Sequence, residues 1–345
     1  MASAGGRATA GAAAASKVAG AFALLALAAS LALLLVLALL PSTAGAALDQ
    51  RDALVYMPYG LIHSTHSTEF VDEALAEADA YGFGQLVFAT PKVAAKTGAV
   101  KLPKRNRQML ALFSSRAAAY DAAHSAALGI TLVVPAKVKG AKGGGVDLES
   151  ATIRGQIVAG VEAALAAGVG FAGIQLDFEP YPTSPGYVSL LEALDAMFTR
   201  VGFHGRFSLA APANTARWSP AYLKSVSALV TQLDPLYYDS EIRTTPAYEQ
   251  WVRESLAYYS ANTAAGTRIV PILPSYSPNR WHDPSVENVG TAGDAVSAAL
   301  GAGSRVNGAG IWSGWGFFYD EEGAYDGSGD RAAWQASTRS LPFSP

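Results

Sequence analysis

Two carboxylates separated by a single residue end the most strand-like run of this sequence. The run Phe171–Leu176 is largely apolar, and Asp177 and Glu179 follow it. Because side chains alternate faces along an extended chain, the two carboxylates point the same way, about 7 Å apart along the backbone. Gln175 shares their face. Two acids carried together at the end of a buried strand suit proton transfer to an uncharged polar substrate such as a sugar.

Charge and composition exclude several other chemistries. The chain has 345 residues, a formal net charge of -3 and no cysteine. A nucleic-acid-binding domain would be clearly basic, so we expect no nucleic acid partner. The lack of cysteine removes disulfides, thiolate catalysis and cysteine-ligated metals. His63, His66 and His282 follow no metal-binding pattern, so we expect neither a metal nor a cofactor.

The N-terminal segment has the features of an export or anchoring sequence. An apolar run of about 23 residues, Val18–Leu40, follows Arg7 and Lys17, and Ala44-Gly45-Ala46 offers an A-x-A cleavage site. We interpret residues 1–46 as a signal peptide or membrane anchor and favour the cleaved signal. If the segment is not cleaved, residues 18–40 would be the anchor. Either reading predicts a secreted or extracytoplasmic protein, with membrane contact only through this segment.

The remaining residues, 47–345, predict one large domain, which we expect to be monomeric. Short apolar runs alternate with helical stretches at intervals of roughly 25–45 residues, the pattern of a (β/α)8 TIM barrel. An open doubly wound sheet is the alternative, but no glycine-rich phosphate turn follows the first strand. The predicted strands are Ala53–Tyr56, Gln85–Ala89, Ile130–Pro135, Phe171–Leu176, Arg206–Ala210, Gln232–Leu236, Arg268–Leu273 and Gly308–Trp312.

Polar and aromatic residues gather where these strands end. In a barrel, reactive residues come from the C-terminal ends of the strands. Aromatic rings that flank carboxylates suit a sugar groove, because the apolar faces of sugars stack on rings while their hydroxyls bind acids and amides. The candidate residues are Tyr56, Tyr59, His63, Asp177, Glu179, Asn214, Tyr237, Tyr238, Asp239, Tyr276, Trp281, Trp312 and Trp315.

On these residues the chain resembles the family 18 glycoside hydrolases, the chitinase-like group. The resemblance covers most of the barrel in element order. The family's sixth-strand motif M-x-Y-D appears here as Leu236-Tyr237-Tyr238-Asp239, and Trp312 matches the tryptophan that ends the eighth strand. At the four defined positions of the fourth-strand motif D-x-x-D-x-D-x-E, this chain has Ala172, Gln175, Asp177 and Glu179.

The resemblance implies a retaining hydrolase of glycans that contain N-acetylglucosamine, either chitin-like or peptidoglycan. Glu179 would be the general acid, with a raised pKa, and Asp177 would orient the substrate's own 2-acetamido group, which acts as nucleophile. Tyr238 would donate a hydrogen bond to the acetamido oxygen, and Asp239 would bind sugar hydroxyls or steady Asp177. The other expected substrate contacts are Gln175, Trp312, Tyr56, Tyr59, Asn214 and Tyr276.

Two of the motif's four acids are missing, at Ala172 and Gln175. Gln175 can hydrogen-bond Asp177 but cannot ionise, so we expect the Asp177 anion to be less disfavoured than it would be beside a second acid. The loss leaves open a non-catalytic carbohydrate-binding protein on the same barrel. A hydrolase of another glycan, with Asp177 or Asp239 as nucleophile, is a third possibility.

The loops after the second and third predicted strands are basic. Between Pro91 and Val146 the only acidic residue is Asp121. An anionic polymer such as peptidoglycan is therefore conceivable as substrate, but we favour an ordinary solvated surface. The basic residues are Lys92, Lys96, Lys101, Lys104, Arg105, Arg107, Lys137, Lys139 and Lys142.

Overall fold

Parallel strands close into a barrel in the computed structural model, which describes residues 53–90, 92–140, 144–318 and 326–340. The first strand pairs with the second on one side and with the last on the other, and the fifth pairs with the sixth, so the sheet has no free edge. This closure confirms the predicted (β/α)8 barrel and excludes the open sheet. The strands are β1 (Leu54–Tyr56), β2 (Gln85–Ala89), β3 (Gly129–Lys137), β4 (Gly173–Glu179), β5 (Arg206–Pro212), β6 (Gln232–Leu236), β7 (Arg268–Ile269), β8 (Ile272–Pro274) and β9 (Gly310–Trp312).

Helices cover the outside of the barrel and begin at well-capped residues. Most of them start where a serine or asparagine oxygen accepts a backbone N–H from the first helical turn, as Ser184 does from Tyr187. Short 3-10 turns follow β1 at Tyr59–Ile62 and β5 at Thr215–Arg217. The helices are α1 (Thr68–Ala80), α2 (Lys104–His124), α3 (Ala151–Leu165), α4 (Pro185–Val201), α5 (Pro220–Ser227), α6 (Thr245–Asn262), α7 (Val289–Gly301), α8 (Gly314–Phe318) and α9 (Ser328–Ser340).

Side-chain alternation divides the core into two layers. One face of each strand packs against the helices, and the other fills the barrel axis. The axial layer is small, because it has to leave room for polar side chains above and below it. Its buried members are Leu54, Tyr56, Val87, Val133, Ala210, Leu236, Val270 and Ile272.

Two strands differ from the sequence-based prediction. We expected the fourth strand to end at Leu176, but β4 continues to Glu179 because β3 extends alongside it, with Pro135 opposite Asp177 and Lys137 opposite Glu179. Both acids therefore lie on the strand itself. The predicted seventh strand is split into β7 and β8 around Pro271, which has no N–H to give to the ladder.

In the described part of the chain, no helix is long and apolar enough to cross a bilayer. The predicted signal or anchor, residues 1–46, lies outside the described residues.

A buried histidine and a buried glutamate in the loop after β8 hold that loop to the loop after β6. His282 and Glu287 are each 1% exposed, and His282 Nδ1 lies 3.0 Å from a Glu287 carboxylate oxygen. His282 Nε2 lies 3.1 Å from the carbonyl oxygen of Tyr276, so each ring nitrogen lies within hydrogen-bond distance of an oxygen acceptor. The second Glu287 oxygen accepts the backbone N–H and the hydroxyl of Ser240. This pair therefore fixes two mouth loops together.

Removing the carboxylate should destabilise the fold strongly. We expect Glu287→Ala to lower the free energy of unfolding by about 3–5 kcal/mol, because it leaves the buried His282 ring and the Ser240 donors without their partner. The matched control is Glu249→Ala, which breaks a more exposed pair with Arg253 at 3.7 Å and should cost less than about 1 kcal/mol. Urea unfolding measures both; equal losses in the two variants would contradict this account.

Candidate active site

The two acids of β4 open into one cleft at the mouth of the barrel. Asp177 is half-buried and Glu179 is exposed. Both line a cleft of about 450 Å³, together with Tyr181 and with residues from β3 and from the loops after β2 and β5. The alternation of side chains on β4 thus places the acids on the same face, as predicted.

Burial shapes the electrostatics of Asp177. Desolvation, and then the negative charge of Glu179, raise the pKa of Asp177 to about 7, while the ammonium of Lys92 opposes the shift. Among the described residues, the buried Oδ1 of Asp177 has no hydrogen-bond partner. Most buried polar atoms are hydrogen-bonded, so a buried carboxyl oxygen without a partner marks Asp177 as a candidate functional residue.

Gln175 lies one layer below the cleft and does not bond Asp177, contrary to our expectation. Its Oε1 accepts the hydroxyl of Tyr56 at 2.7 Å, and its Nε2 donates to Asp234 Oδ2 at 2.5 Å. The side chain is 1% exposed. Both ends of the amide are therefore engaged within the protein, so the predicted contact between Gln175 and substrate needs correction.

The partner of Gln175 is a fully buried acid that sequence analysis missed. Asp234 lies on β6 and also accepts an amide N–H from Gln232 at 2.7 Å and a hydrogen bond from Ser208. Burial raises the pKa of Asp234 to about 6, although these hydrogen bonds and the charge of Arg206 oppose the shift. Where the family motif has an acid on the fourth strand, this barrel has an amide bonded to an acid from the sixth.

The second missing motif acid belongs to the opposite end of the barrel. Ala172 immediately precedes β4, and its backbone carbonyl accepts the N–H of Arg206 at the base of the neighbouring strand. An acid at this position would not reach the cleft. The absence of an acid at Ala172 therefore leaves the geometry of the mouth unchanged.

Three aromatic rings meet over the barrel axis beside the acids. The ring of Trp312 stacks on Tyr238, with centroids 5.8 Å apart, and meets the edge of Tyr56 at 4.9 Å. Tyr276 contacts Tyr238 edge-on at 6.1 Å. Burial raises the pKa of Tyr238 well above its usual range, so the phenol remains a hydrogen-bond donor. Tyr237 points the other way and donates to Ser255 behind the barrel.

Two further candidates are held by their own loops. Asp239 has a left-handed backbone, with φ of 52°, and its exposed carboxylate accepts hydrogen bonds from Tyr276 at 2.9 Å and Asn279 at 3.3 Å. Asn214 caps the 3-10 turn that follows β5, accepting the backbone N–H of Ala216 at 3.1 Å. That turn carries Arg217 into the cleft.

Neither His63 nor His66 lines the cleft. The side chains of Tyr59 and Trp315 lie outside the described residues. Nε2 of His63 lies 3.4 Å from Nδ2 of Asn106, and His66 stacks on Phe70. No group of three or more His, Asp or Glu side chains suited to a metal occurs among the described residues.

Besides Asp234, sequence analysis missed Tyr181 and Arg217. The hydroxyl of Tyr181 lies 3.5 Å from a carboxylate oxygen of Glu179. The sequence did contain a sign of Asp234. Asp234 lies two and four residues before Leu236 and Tyr238, so on an extended strand its side chain points to the same face, toward the barrel axis. Arg217 comes from an irregular loop, where alternation gives no guide to direction.

The raised pKa of Asp177 predicts a pH-dependent cost to stability. The folded protein holds this proton more tightly than the unfolded chain, so its stability falls as pH rises between about 4 and 7. We expect Asp177→Asn to exceed the parent in free energy of unfolding by about 1–3 kcal/mol at pH 8 and to match it near pH 3.5. Urea unfolding at both pH values measures this, with Asp294→Asn on the exposed face of α7 as control. A gap that does not change with pH would contradict it.

Restoring the missing acid should create a conflict with Asp234. Gln175→Glu would place two buried carboxylates at hydrogen-bond distance, so the folded protein must keep an additional proton. Between pH 6 and 8 we expect the variant to lose about 1–2 kcal/mol more stability than the parent. The double variant Gln175→Glu/Asp234→Asn, which restores the single charge, should remove this extra loss. If the double variant keeps the loss, the two side chains are not coupled in this way.

No family model matches this sequence, and none of the curated proteins matches it. Solved structures, however, are similar over most of its length. The Group IV chitinase of Ostrinia furnacalis has a TM-score of 0.54 at 14% identity, covering 84% of this chain and 98% of the chitinase. The spore cortex-lytic enzyme SleL of Bacillus cereus has a TM-score of 0.55 at 13% identity, covering 86% of this chain and 74% of SleL.

A class V chitinase mutant from Cycas revoluta, solved in complex with (GlcNAc)3, has a TM-score of 0.56 at 12% identity, with 83% of this chain and 99% of that one covered. At such low identity the similarity concerns the fold. The chain therefore has the barrel fold of family 18 chitinases and chitinase-like proteins, in a strongly divergent form.

Proposed function

We propose that the protein is a retaining glycoside hydrolase that cleaves glycans containing N-acetylglucosamine, with the substrate's acetamido group as nucleophile. The observation that carries this proposal is the shared placement of Asp177 and Glu179 at the open end of β4. Asp177 lines the cleft and has a buried oxygen without a partner among the described residues, and its carboxyl group is where an acetamido N–H would bind.

Glu179 is the general acid in this proposal. As the acetamido oxygen attacks C1, the glycosidic C1–O bond breaks, and the leaving oxygen takes the proton of Glu179. Water then attacks C1 and gives a proton back to Glu179, while the bond between C1 and the acetamido oxygen breaks. Two inversions at C1 retain the anomeric configuration. The exposed position of Glu179 lets the leaving sugar and the water reach it.

Asp177 and Tyr238 hold the acetamido group. The Asp177 carboxylate accepts the acetamido N–H and stabilises the positive charge of the cyclic intermediate. The phenol of Tyr238, which stays protonated, donates to the acetamido oxygen. Trp312 stacks on the sugar at the floor, and Tyr56 supports that ring from its edge. Asp239, Tyr276 and Asn214 bind hydroxyls around it.

Two observations outside the site agree with this proposal. One structural neighbour is a spore cortex-lytic enzyme, and another was solved with (GlcNAc)3. The N-terminal apolar run supports a place outside the cytoplasm, where such glycans occur.

The replacement of the inner motif acid by Gln175 favours a second candidate, a carbohydrate-binding protein without activity. Such a protein would bind the same glycans and release no product. A third candidate uses Asp177 or Asp239 as the nucleophile and would also cut oligomers that lack the acetamido group. Incubation with labelled N-acetylglucosamine hexamer, peptidoglycan and an acetamido-free glucan hexamer separates the three.

Loss of the acid should abolish turnover while binding survives. We expect Glu179→Gln to lower kcat/KM on the best acetamido substrate by about 10²–10⁴-fold, because the leaving oxygen no longer receives a proton. The dissociation constant for the uncleaved oligomer should change little. Glu192→Gln, on the exposed face of α4, is the matched control and should keep parent activity. Full activity of Glu179→Gln would show that the assignment is wrong.

A further inference from the structure

Three cationic side chains line the same cleft as the two acids. Lys92 comes from the loop after β2, Lys137 ends β3, and Arg217 lies in the 3-10 turn after β5. All three are exposed. They reach the cleft from three separate elements, and Lys137 sits directly opposite Glu179 in the register of β3 and β4.

These cations are not used for ion pairs within the part of the chain that the structure describes. Other basic groups are paired: Lys139 contacts Asp147 at 2.8 Å, and Arg200 contacts Glu162 at 2.8 Å. Within the predicted basic surface, Lys139 serves the fold, whereas Lys92 and Lys137 face the cleft. Arg217, which sequence analysis did not include in that surface, also faces the cleft.

The cleft has more cationic side chains than carboxylates. Three cations face two carboxylates, and the pKa of Asp177, raised by burial and by Glu179, is already close to neutrality. If the cations served only to neutralise the acids, they would form ion pairs with them, and none of the three does so in the described part of the chain. A neutral glycan would gain little from three ammonium and guanidinium groups, whereas an anionic one would gain charge-assisted contacts.

We infer that the cleft selects N-acetylhexosamine glycans that carry a carboxylate on a sugar next to the cleaved bond, and that Lys92, Lys137 and Arg217 bind this carboxylate. The inference rests on the proposed function for the place of the cleaved bond. Two sugars supply the same chemistry: an amino sugar with a lactyl ether, as in peptidoglycan strands, and a uronic acid that alternates with an N-acetylhexosamine.

Binding to an inactive background tests this inference apart from catalysis. In the Glu179→Gln protein, dissociation constants are measured for four glycans of equal length: the neutral N-acetylglucosamine oligomer, peptide-free peptidoglycan strands, the same strands with carboxylates reduced to alcohols, and an alternating uronic acid polymer. We expect at least one carboxylated glycan to bind about tenfold more tightly than its neutral counterpart, because several cations act on one anion. The carboxylated glycan that binds identifies the source of the charge.

The cationic residues are then replaced on the same background. Lys92→Gln/Lys137→Gln/Arg217→Gln should reduce the preference to less than about twofold, while Lys101→Gln/Lys104→Gln, two exposed lysines outside the cleft lining, should preserve it. Raising the salt concentration should weaken the preference of the unsubstituted background as well, which needs no variant to fold.

The outcomes separate this inference from the proposed function. Equal affinity for carboxylated and reduced strands, or a preference that survives the triple substitution, overturns the carboxylate site whether or not the enzyme is active. If carboxylated glycans bind more tightly but the parent protein cleaves none of them, the carboxylate site is supported and the proposed hydrolase activity is wrong.

Discussion

The strict alternation of side chains on β4 is the constraint on which the site depends. Because β3 runs alongside β4 as far as Lys137, the ladder holds β4 extended up to Glu179. Extended geometry then fixes the directions of Asp177 and Glu179 without help from any loop. In a closed barrel of parallel strands, the C-terminal ends of all strands lie at the same mouth. Both acids, at the C-terminal end of β4, therefore open into the cleft there. The backbone geometry of β4 therefore places the two carboxyl groups together, as the proposed chemistry requires.

The surroundings of the pair divide into layers with different tasks. Beneath it, Tyr56 donates a hydrogen bond to Gln175, and Gln175 donates one to Asp234. The second of these favours the charged form of Asp234, which burial disfavours. Beside it, the rings of Tyr238 and Trp312 form an apolar floor. Across the cleft, the exposed side chains of Lys92, Lys137 and Arg217 supply positive charge. Asp177 lies where these layers meet, and burial there, together with the charge of Glu179, raises its pKa.

Much of this arrangement was predictable from the sequence. Recurrent apolar runs indicated the barrel, and the spacing of Asp177 and Glu179 indicated their common face. Predictions failed where a contact joins distant strands: the amide of Gln175 was assigned to Asp177, its neighbour in sequence, when it bonds Asp234 across the barrel. The register of neighbouring strands decides such contacts, and a single strand contains no information on register. The end of β4 was misplaced for the same reason, because its length depends on β3.

The position of Asp234 affects how well a sequence motif describes this protein. A signature read along one strand scores position 175 as a lost acid, although a carboxylate occupies the adjoining space from a residue 59 positions downstream. Along the sequence, positions 175 and 234 are unrelated, whereas in the barrel their side chains share a hydrogen bond. A motif read along one strand therefore misses a carboxylate that the closed barrel brings beside position 175 from a strand two places away.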